Sequence, residues 1–213
     1  YSRLDGIVAV SAAIASQLGH PRVETILNGV APKAPNPELL AKCRGTRTQW
    51  TGALVVAVGR LAPVKGYDVL LQAWPKSLDA HLLILGDGPE MASLKKTVID
   101  LGLTNNVSFA GYSMDVTEWL HVADAMVISS HREGFPYVLV EALQAGCPVL
   151  STAVSGVSEI LPINTLAKPG NISSLKALLE REIPLLESLR LAQEPQFLQA
   201  RTLLTLEAMA GHT

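Results

Sequence analysis

Two cations and two carboxylates stand out by residue type and spacing. Arg60 and Lys65 follow the aliphatic run Leu54–Val58, in Gly59-Arg60-Leu61 and then Lys65-Gly66. An Arg grips phosphate through parallel N–H groups and a Lys acts as a point charge, so the pair suits a diphosphate. The plain alternative is two solvated surface cations. Further on, Glu133 and Glu141 bracket Gly134-Phe135-Pro136-Tyr137-Val138-Leu139-Val140. The Gly-Phe-Pro turn opens a helix, whose free N–H groups around Tyr137 and Val138 form an anion site. Glu141 falls on the second turn among apolar residues, where a carboxylate needs partners such as sugar or ribose hydroxyls. The alternatives are that Glu133 merely complements the helix dipole and that Glu141 pairs with a nearby Arg.

These residues need elements to hold them. Ile7–Val10 reads as a buried strand, and Ser11 as the cap of a helix Ala12–Leu18 that stops at Gly19. Val23–Leu27 reads as a second short strand. Ala31–Pro37 carries three prolines, which removes backbone donors and argues against helix. Residues 31–50 therefore read as an interdomain linker or loosely packed crossing. It is locally basic through Lys33, Lys42, Arg44 and Arg47 against Glu38, in keeping with a solvated face.

From Gly52 a regular alternation begins. Strands are expected over Leu54–Val58, His81–Leu85, Val107–Phe109, Ala125–Ile128, Pro148–Leu150 and, weakly, Thr165–Ala167. Helices are expected over Tyr67–Trp74, Glu90–Leu101, Val116–Val122 and Pro136–Ala145, the last with Pro at its first position and Gly146 past its end. Strands apolar on both faces, alternating with helices, imply an α/β doubly wound parallel sheet of Rossmann-like kind over residues 51–170. In such sheets ligands sit outside the carboxyl ends of the strands. Gly59, Gly86 and Gly111 mark those ends, so one rim lets a ligand approach the backbone. Residues 171–213 read as helices interrupted at Pro184 and Pro195. They hold more Leu (Leu175, Leu178, Leu179, Leu185, Leu186, Leu189) than one amphipathic stripe needs, so packing against something besides the sheet is expected.

Composition narrows the functional classes. The 213 residues include 17 basic and 19 acidic side chains, and 48% are hydrophobic. That excludes a disordered tail and a histone-like polycation, and leaves no basic excess to neutralise a nucleic-acid backbone. No apolar run reaches the roughly 18 residues of a bilayer span. The start, Tyr1-Ser2-Arg3, shows no apolar leader and no initiator Met, so a processed or cut piece is expected. Cys43 and Cys147 make neither a metal spacing nor a disulfide framework, and a reducing cytoplasm is the plain reading. His131 reads as a surface residue, His81 as a strand-end residue, Trp74 and Trp119 as core, and Cys147 as a buried thiol.

Together, Val58-Gly59-Arg60-Leu61, Lys65-Gly66, Leu85-Gly86-Asp87-Gly88-Pro89, Val107-Ser108-Phe109-Ala110-Gly111-Tyr112 and Glu133-Gly134-Phe135-Pro136 through Glu141-Ala142 to Gly146-Cys147-Pro148-Val149 resemble the retaining glycosyltransferases of family 4 in the GT-B class. Glu133 and Glu141 match that family's E-x7-E motif, and the resemblance runs from about Ile7 to Leu161. It implies an enzyme of two Rossmann-like halves, of which this chain resembles the C-terminal, nucleotide-sugar-binding one. Residues 1–30 resemble the last elements of the acceptor-binding half, whose absence implies that the chain is inactive alone.

By position, the resemblance assigns Arg60 and Lys65 to the diphosphate leaving group and Glu133 to the transferred sugar. Glu141 would take the ribose hydroxyls. The backbone of Gly134, Phe135, Pro136, Tyr137 and Val138 would touch sugar and phosphate. Ala110, Gly111 and Tyr112 would meet the base, and Gly59 and Gly86 would allow close approach. Arg60, Lys65, Glu133 and Glu141 are expected around a single hollow.

No metal or other cofactor is implied. The implied partners are a nucleotide-sugar donor, UDP-linked by preference, and a glycan or glycolipid acceptor in surface polysaccharide or lipopolysaccharide assembly. Nucleic acid is not among them. Location would be cytoplasmic, with peripheral membrane contact through the absent half. Two departures stand out: Ser155-Gly156-Val157-Ser158-Glu159 replaces a Gly-Gly-x-Pro-Glu pattern, and Ala31 replaces the Asp that follows Asn-Gly-Val. Other readings remain at this point: a GT-B nucleotide-sugar epimerase, and a non-catalytic nucleotide-sugar-binding module that needs a partner chain.

Overall fold

A computed structural model describes residues 4–202. Its centre is a parallel sheet of β3 (Ala53–Val58), β4 (Ala80–Leu85), β5 (Val107–Gly111), β6 (Ala125–Ile128), β7 (Val149–Thr152) and β8 (Leu166–Ala167), in the spatial order β5-β4-β3-β6-β7-β8. The chain enters in the middle, moves outward through β4 and β5, then returns to lay β6 on the other side of β3. This is the doubly wound, Rossmann-like α/β fold expected from the alternating apolar runs.

Side chains alternate across each strand, so the sheet divides its apolar residues between two layers. Val55, Ala57, Leu82, Ile84, Val127 and Leu150 join one buried cluster with α3 (Tyr67–Ala73), α4 (Met91–Asp100) and α7 (Ile172–Glu182). Leu54, Val56, Leu83, Leu85, Met126 and Val149 join the other with α5 (Val116–Val122), α6 (Tyr137–Gln144) and α9 (Glu194–Thr202). Trp74 and Trp119 are core residues, as expected. Both thiols are buried, and burial pushes Cys147 up to about 12.

Residues 31–50 need correction. The prolines do keep residues 31–36 irregular, but Pro37 is the first residue of α2 (Pro37–Arg47), capped by the Asn36 side chain. Proline at that position removes an N–H that has no helical partner anyway. This helix packs on α5 and buries Cys43. Arg47 pairs with Asp124 at 3.2 Å, and Asp124 accepts the Leu54 amide at 2.7 Å, so the end of α2 is pinned to the start of β3. His81 is also not a strand-end residue. It lies inside β4, stacked 4.4 Å from Trp50 and 2.9 Å from the Ser108 hydroxyl. His131 is exposed, as expected.

Before the sheet, β1 (Ile7–Ala9) and β2 (Val23–Thr25) pair in parallel around α1 (Ala12–Ala15). Ser11 caps α1 as the sequence implied, although the helix ends before Leu18. After the sheet, Pro184 sits in a 3-10 turn between α7 and α8 (Leu186–Ala192), whereas Pro195 begins α9 instead of breaking it. Part of the helical stretch read over 171–213 lies outside the described residues. The surplus leucines are accounted for in part: Leu175, Leu178, Leu179 and Leu189 are buried, while Leu185 is 52% exposed. Packing beyond the sheet is supplied by α9 against α6. The buried Gln193 amide exchanges two 2.8 Å hydrogen bonds with the backbone of Val149, as a neighbouring strand would.

The glycine rim follows from backbone crowding. Gly86 has φ +150°, and a β-carbon there would fall on the carbonyl oxygen of Gly59. Gly59 N–H donates to the Leu85 carbonyl at 3.0 Å, and Gly86 N–H to the Gly111 carbonyl at 2.8 Å. Gly86→Ala is expected to lose more than about 2 kcal/mol of stability through overpacking and backbone strain, read as a lowered denaturation midpoint with an unchanged slope.

Candidate functional site

Neighbouring strands β3 and β6 lead to helices on opposite faces of the sheet, α3 on one and α6 on the other. The loops after them part at that point and leave a crevice at the strands' carboxyl ends, the position where such folds take ligands. After β3 the chain runs through Gly59-Arg60-Leu61 and a 3-10 turn, Pro63–Lys65. It then turns at Gly66, φ +63°, where a β-carbon would strike the Ser129 carbonyl oxygen just past β6. That approach brings the Lys65 loop against the Glu133 loop.

Lys65 Nζ donates to Glu133 Oε1 at 2.6 Å. The Ser130 hydroxyl donates to the same oxygen, also at 2.6 Å. The Glu133 side chain is only 12% exposed. Beside them the Tyr67 hydroxyl donates to the Gly59 carbonyl at 3.3 Å. Burial, with the charge of Glu133 second, pushes the Tyr67 phenol far above its usual range, so it stays a neutral donor. Lys65, Glu133, Ser130, Tyr67, Val58 and Val138 line one narrow hollow of about 20 Å³, room for about a single water. The α6 N-terminus, which begins at Tyr137 beside Val138, has no side-chain cap for its first N–H groups.

The expectation of a single hollow is not met. Arg60 is exposed and lines a neighbouring hollow of about 400 Å³, with Val58, Gly59, Leu85, Gly86, Asp87, Tyr112, Ser113 and Val116. Glu141 lines a third, of about 530 Å³, formed by Val30–Pro35, Thr117, His121, Gln144, Ala145 and Arg201. The reason is the chain path: Glu133 lies in the loop before Pro136, whereas Glu141 lies inside α6, about 6 Å along the helix axis from its first residue, Tyr137. Val58 lines both the first and the second hollow, and α5 lends Val116 to the second and Thr117 to the third.

The remaining candidates divide similarly. Gly59, Gly86 and Tyr112 line the Arg60 hollow, and Val138 the Lys65 hollow. Ala110, Gly111, Gly134, Phe135, Pro136 and Tyr137 line none of the three. Ala110 is skipped where the β4–β5 register shifts, so that Leu85 pairs with Gly111. Phe135 is a core side chain whose carbonyl accepts the Asn28 amide at 3.0 Å.

Ser130 carries no role in the sequence pattern, although it stands three residues before Glu133, and neither does the Ser155–Glu159 loop. In the structure a β-carbon at Gly156 would lie 2.6 Å from the Gly134 carbonyl oxygen, so only glycine lets this loop support the turn before α6. Glu159 accepts the Ala12 and Ala13 amides at 3.0 and 3.1 Å and ties α1 to the same place.

Sheet order and crevice give the Rossmann-like α/β fold that solved GT-B glycosyltransferases also show. The sequence profile of the family Glycosyl transferases group 1 matches residues 46–185, and the chain belongs to that family. It is 36% identical over 103 residues to the lipopolysaccharide core biosynthesis glycosyltransferase LpsE of Rhizobium meliloti, covering 48% of this chain and 30% of that protein. It is 29% identical over 204 residues to the 2-deoxystreptamine glucosyltransferase of Streptomyces kanamyceticus, covering 86% and 52%. Among solved structures it is similar to Anabaena HepE in complex with UDP, with a TM-score of 0.85 at 22% identity, covering 97% of this chain and 62% of that one. The chain thus spans about half, or less, of the length of these two sequence relatives.

Burial raises the Glu141 carboxyl above its ordinary 4.5, and the charge of Lys33 offsets this only in part. The folded state therefore favours the neutral form, and Glu141 subtracts stability increasingly as pH rises through that raised value. Glu141→Gln should melt higher than the parent at pH 7, with the gain vanishing below about pH 4.5, as checked by thermal unfolding across pH.

Proposed function

We propose that this chain is the donor-binding half of a retaining glycosyltransferase of family 4, with Glu133 and Glu141 as its E-x7-E pair. It transfers a hexosyl group from a nucleotide-sugar, UDP-linked by preference, to a glycan or glycolipid acceptor held by another part of the protein. The observation that carries this reading is the 2.6 Å contact of Lys65 with Glu133 at the crevice between β3 and β6, in a chain of the group 1 family. Supporting it, LpsE is named for lipopolysaccharide core biosynthesis and HepE was solved with UDP.

A nucleoside diphosphate sugar is long, and its parts fall to separate places along the crevice. The base end lies at the rim of the Arg60 hollow, beside the exposed Tyr112. Arg60 and Lys65 flank the diphosphate. Glu133 faces the sugar, and Glu141 takes the ribose from its own hollow. Cleaving the sugar–phosphate bond leaves negative charge on the diphosphate. Fixed cations and the N–H groups at the start of α6 stabilise that charge as it develops. No metal is needed in this scheme, because two side-chain cations supply the positive charge. Glu133 holds the sugar hydroxyls and offsets positive charge at the anomeric carbon. The reaction is placed in the cytoplasm, with the acceptor-binding part at the inner face of the membrane.

Two measurements test this. Glu133→Gln should lower transfer by the full gene product about 100-fold or more while UDP affinity stays within about twofold. Undiminished transfer would remove Glu133 from the site. UDP should bind this chain in EDTA, and Arg60→Ala should weaken that binding about 10-fold, as lost charge-assisted contacts do. A calorimetric titration in which binding requires a divalent ion, or ignores the Arg60 change, would overturn the diphosphate assignment.

A further inference from the structure

The crevice depends on two side chains that contact no proposed ligand. Ser129 and Ser130 follow the last residue of β6 and are 3% and 2% exposed. Their hydroxyls reach in different directions. Ser129 Oγ donates at 2.9 Å to the backbone carbonyl of Lys65. Ser130 Oγ donates at 2.6 Å to Glu133 Oε1. The peptide that carries them is itself held. Thr152 Oγ1, on β7, donates to the Ser130 carbonyl at 2.7 Å, and the His131 amide donates to the Val64 carbonyl at 2.9 Å. One short segment, fixed to the sheet, thus grips the cation's loop with one residue and the carboxylate with the next.

We propose that Ser129 and Ser130 are positioning residues with divided tasks, Ser129 setting the Lys65 loop and Ser130 orienting the Glu133 carboxylate. The inference rests on the function proposed above. Oε1 of Glu133 receives both Lys65 and Ser130, and Oε2 takes no hydrogen bond among the described residues. Two donors at different angles fix the rotation of the carboxylate, so that Oε2 is the atom presented to the sugar. With Lys65 alone, the carboxylate could swing when the ammonium turns toward phosphate. Ser130 holds it through that change. Ser129 acts on the main chain, so it fixes where the Lys65 side chain starts without touching its charge. Misplacing a reacting group by about 1 Å can cost about 100-fold in rate.

The test is a pair of double-mutant cycles on the full gene product, reading UDP affinity, transfer kcat and thermal midpoint. Ser130→Ala should lower kcat about 10-fold or more with UDP affinity within about twofold, and cost nothing further when added to Glu133→Gln. Ser129→Ala should weaken UDP about 3- to 10-fold, and add nothing to Lys65→Ala. Should the alanine variant of Ser130 not fold, Ser130→Thr against the isosteric Ser130→Val carries the same contrast, the hydroxyl-bearing one keeping kcat. Parent-like kcat in Ser130→Ala, with Glu133→Gln impaired, would overturn the positioning role and leave the function standing. Equal losses of UDP affinity and kcat in both serine variants, with lowered melting, would reduce the pair to general scaffolding and also overturn it. A fully active Glu133→Gln would bring down the functional reading and the Ser130 assignment together.

Discussion

Two hydrogen-bonded strands, β3 and β6, send their chains to opposite faces of one sheet, and the structure depends on that divergence. Parallel strands pair without a hairpin, so each must be followed by a loop and a crossover. Where neighbouring crossovers leave in opposite directions, a crevice opens at the strand ends, and here the two loops close over part of it. Lys65 comes from one loop and Glu133 from the other, and they meet over that gap at 2.6 Å. The close pass of Gly66 over the Ser129 carbonyl is what makes the meeting possible.

A carboxylate at 12% exposure is costly to desolvate, and an opposite charge repays that only with good geometry and added hydrogen bonds. Here the added bond is Ser130, and the neutral Tyr67 hydroxyl lies beside the pair. The result is a carboxylate whose Oε1 is held by two donors, one on each of the loops that meet there.

The small β1–α1–β2 unit is joined to this crevice rather than merely adjacent to it. Glu159 receives two amides of α1, Asn28 reaches the Phe135 carbonyl, and a β-carbon at Gly134 would meet Val10 and Ile14 at 3.5 and 3.4 Å. These contacts converge on the turn that begins α6. Any displacement of the early chain segment would therefore be felt at the backbone next to Glu133.

The strand positions, the parallel doubly wound sheet and the glycine rim were legible in the residues themselves. Runs such as Leu54–Val58 and His81–Leu85 are apolar on both faces, and only a doubly covered sheet buries both. The α2 helix was hidden because prolines at its approach read as a break, whereas a helix accepts proline at its first position, and packing on α5 supplied what local preference lacked. The division of Arg60, Lys65, Glu133 and Glu141 among three hollows, and the grip of Ser130 on Glu133, were decided by tertiary structure alone. Spacing along a chain states which residues share an element, but which atoms meet depends on the direction each loop takes on leaving the sheet.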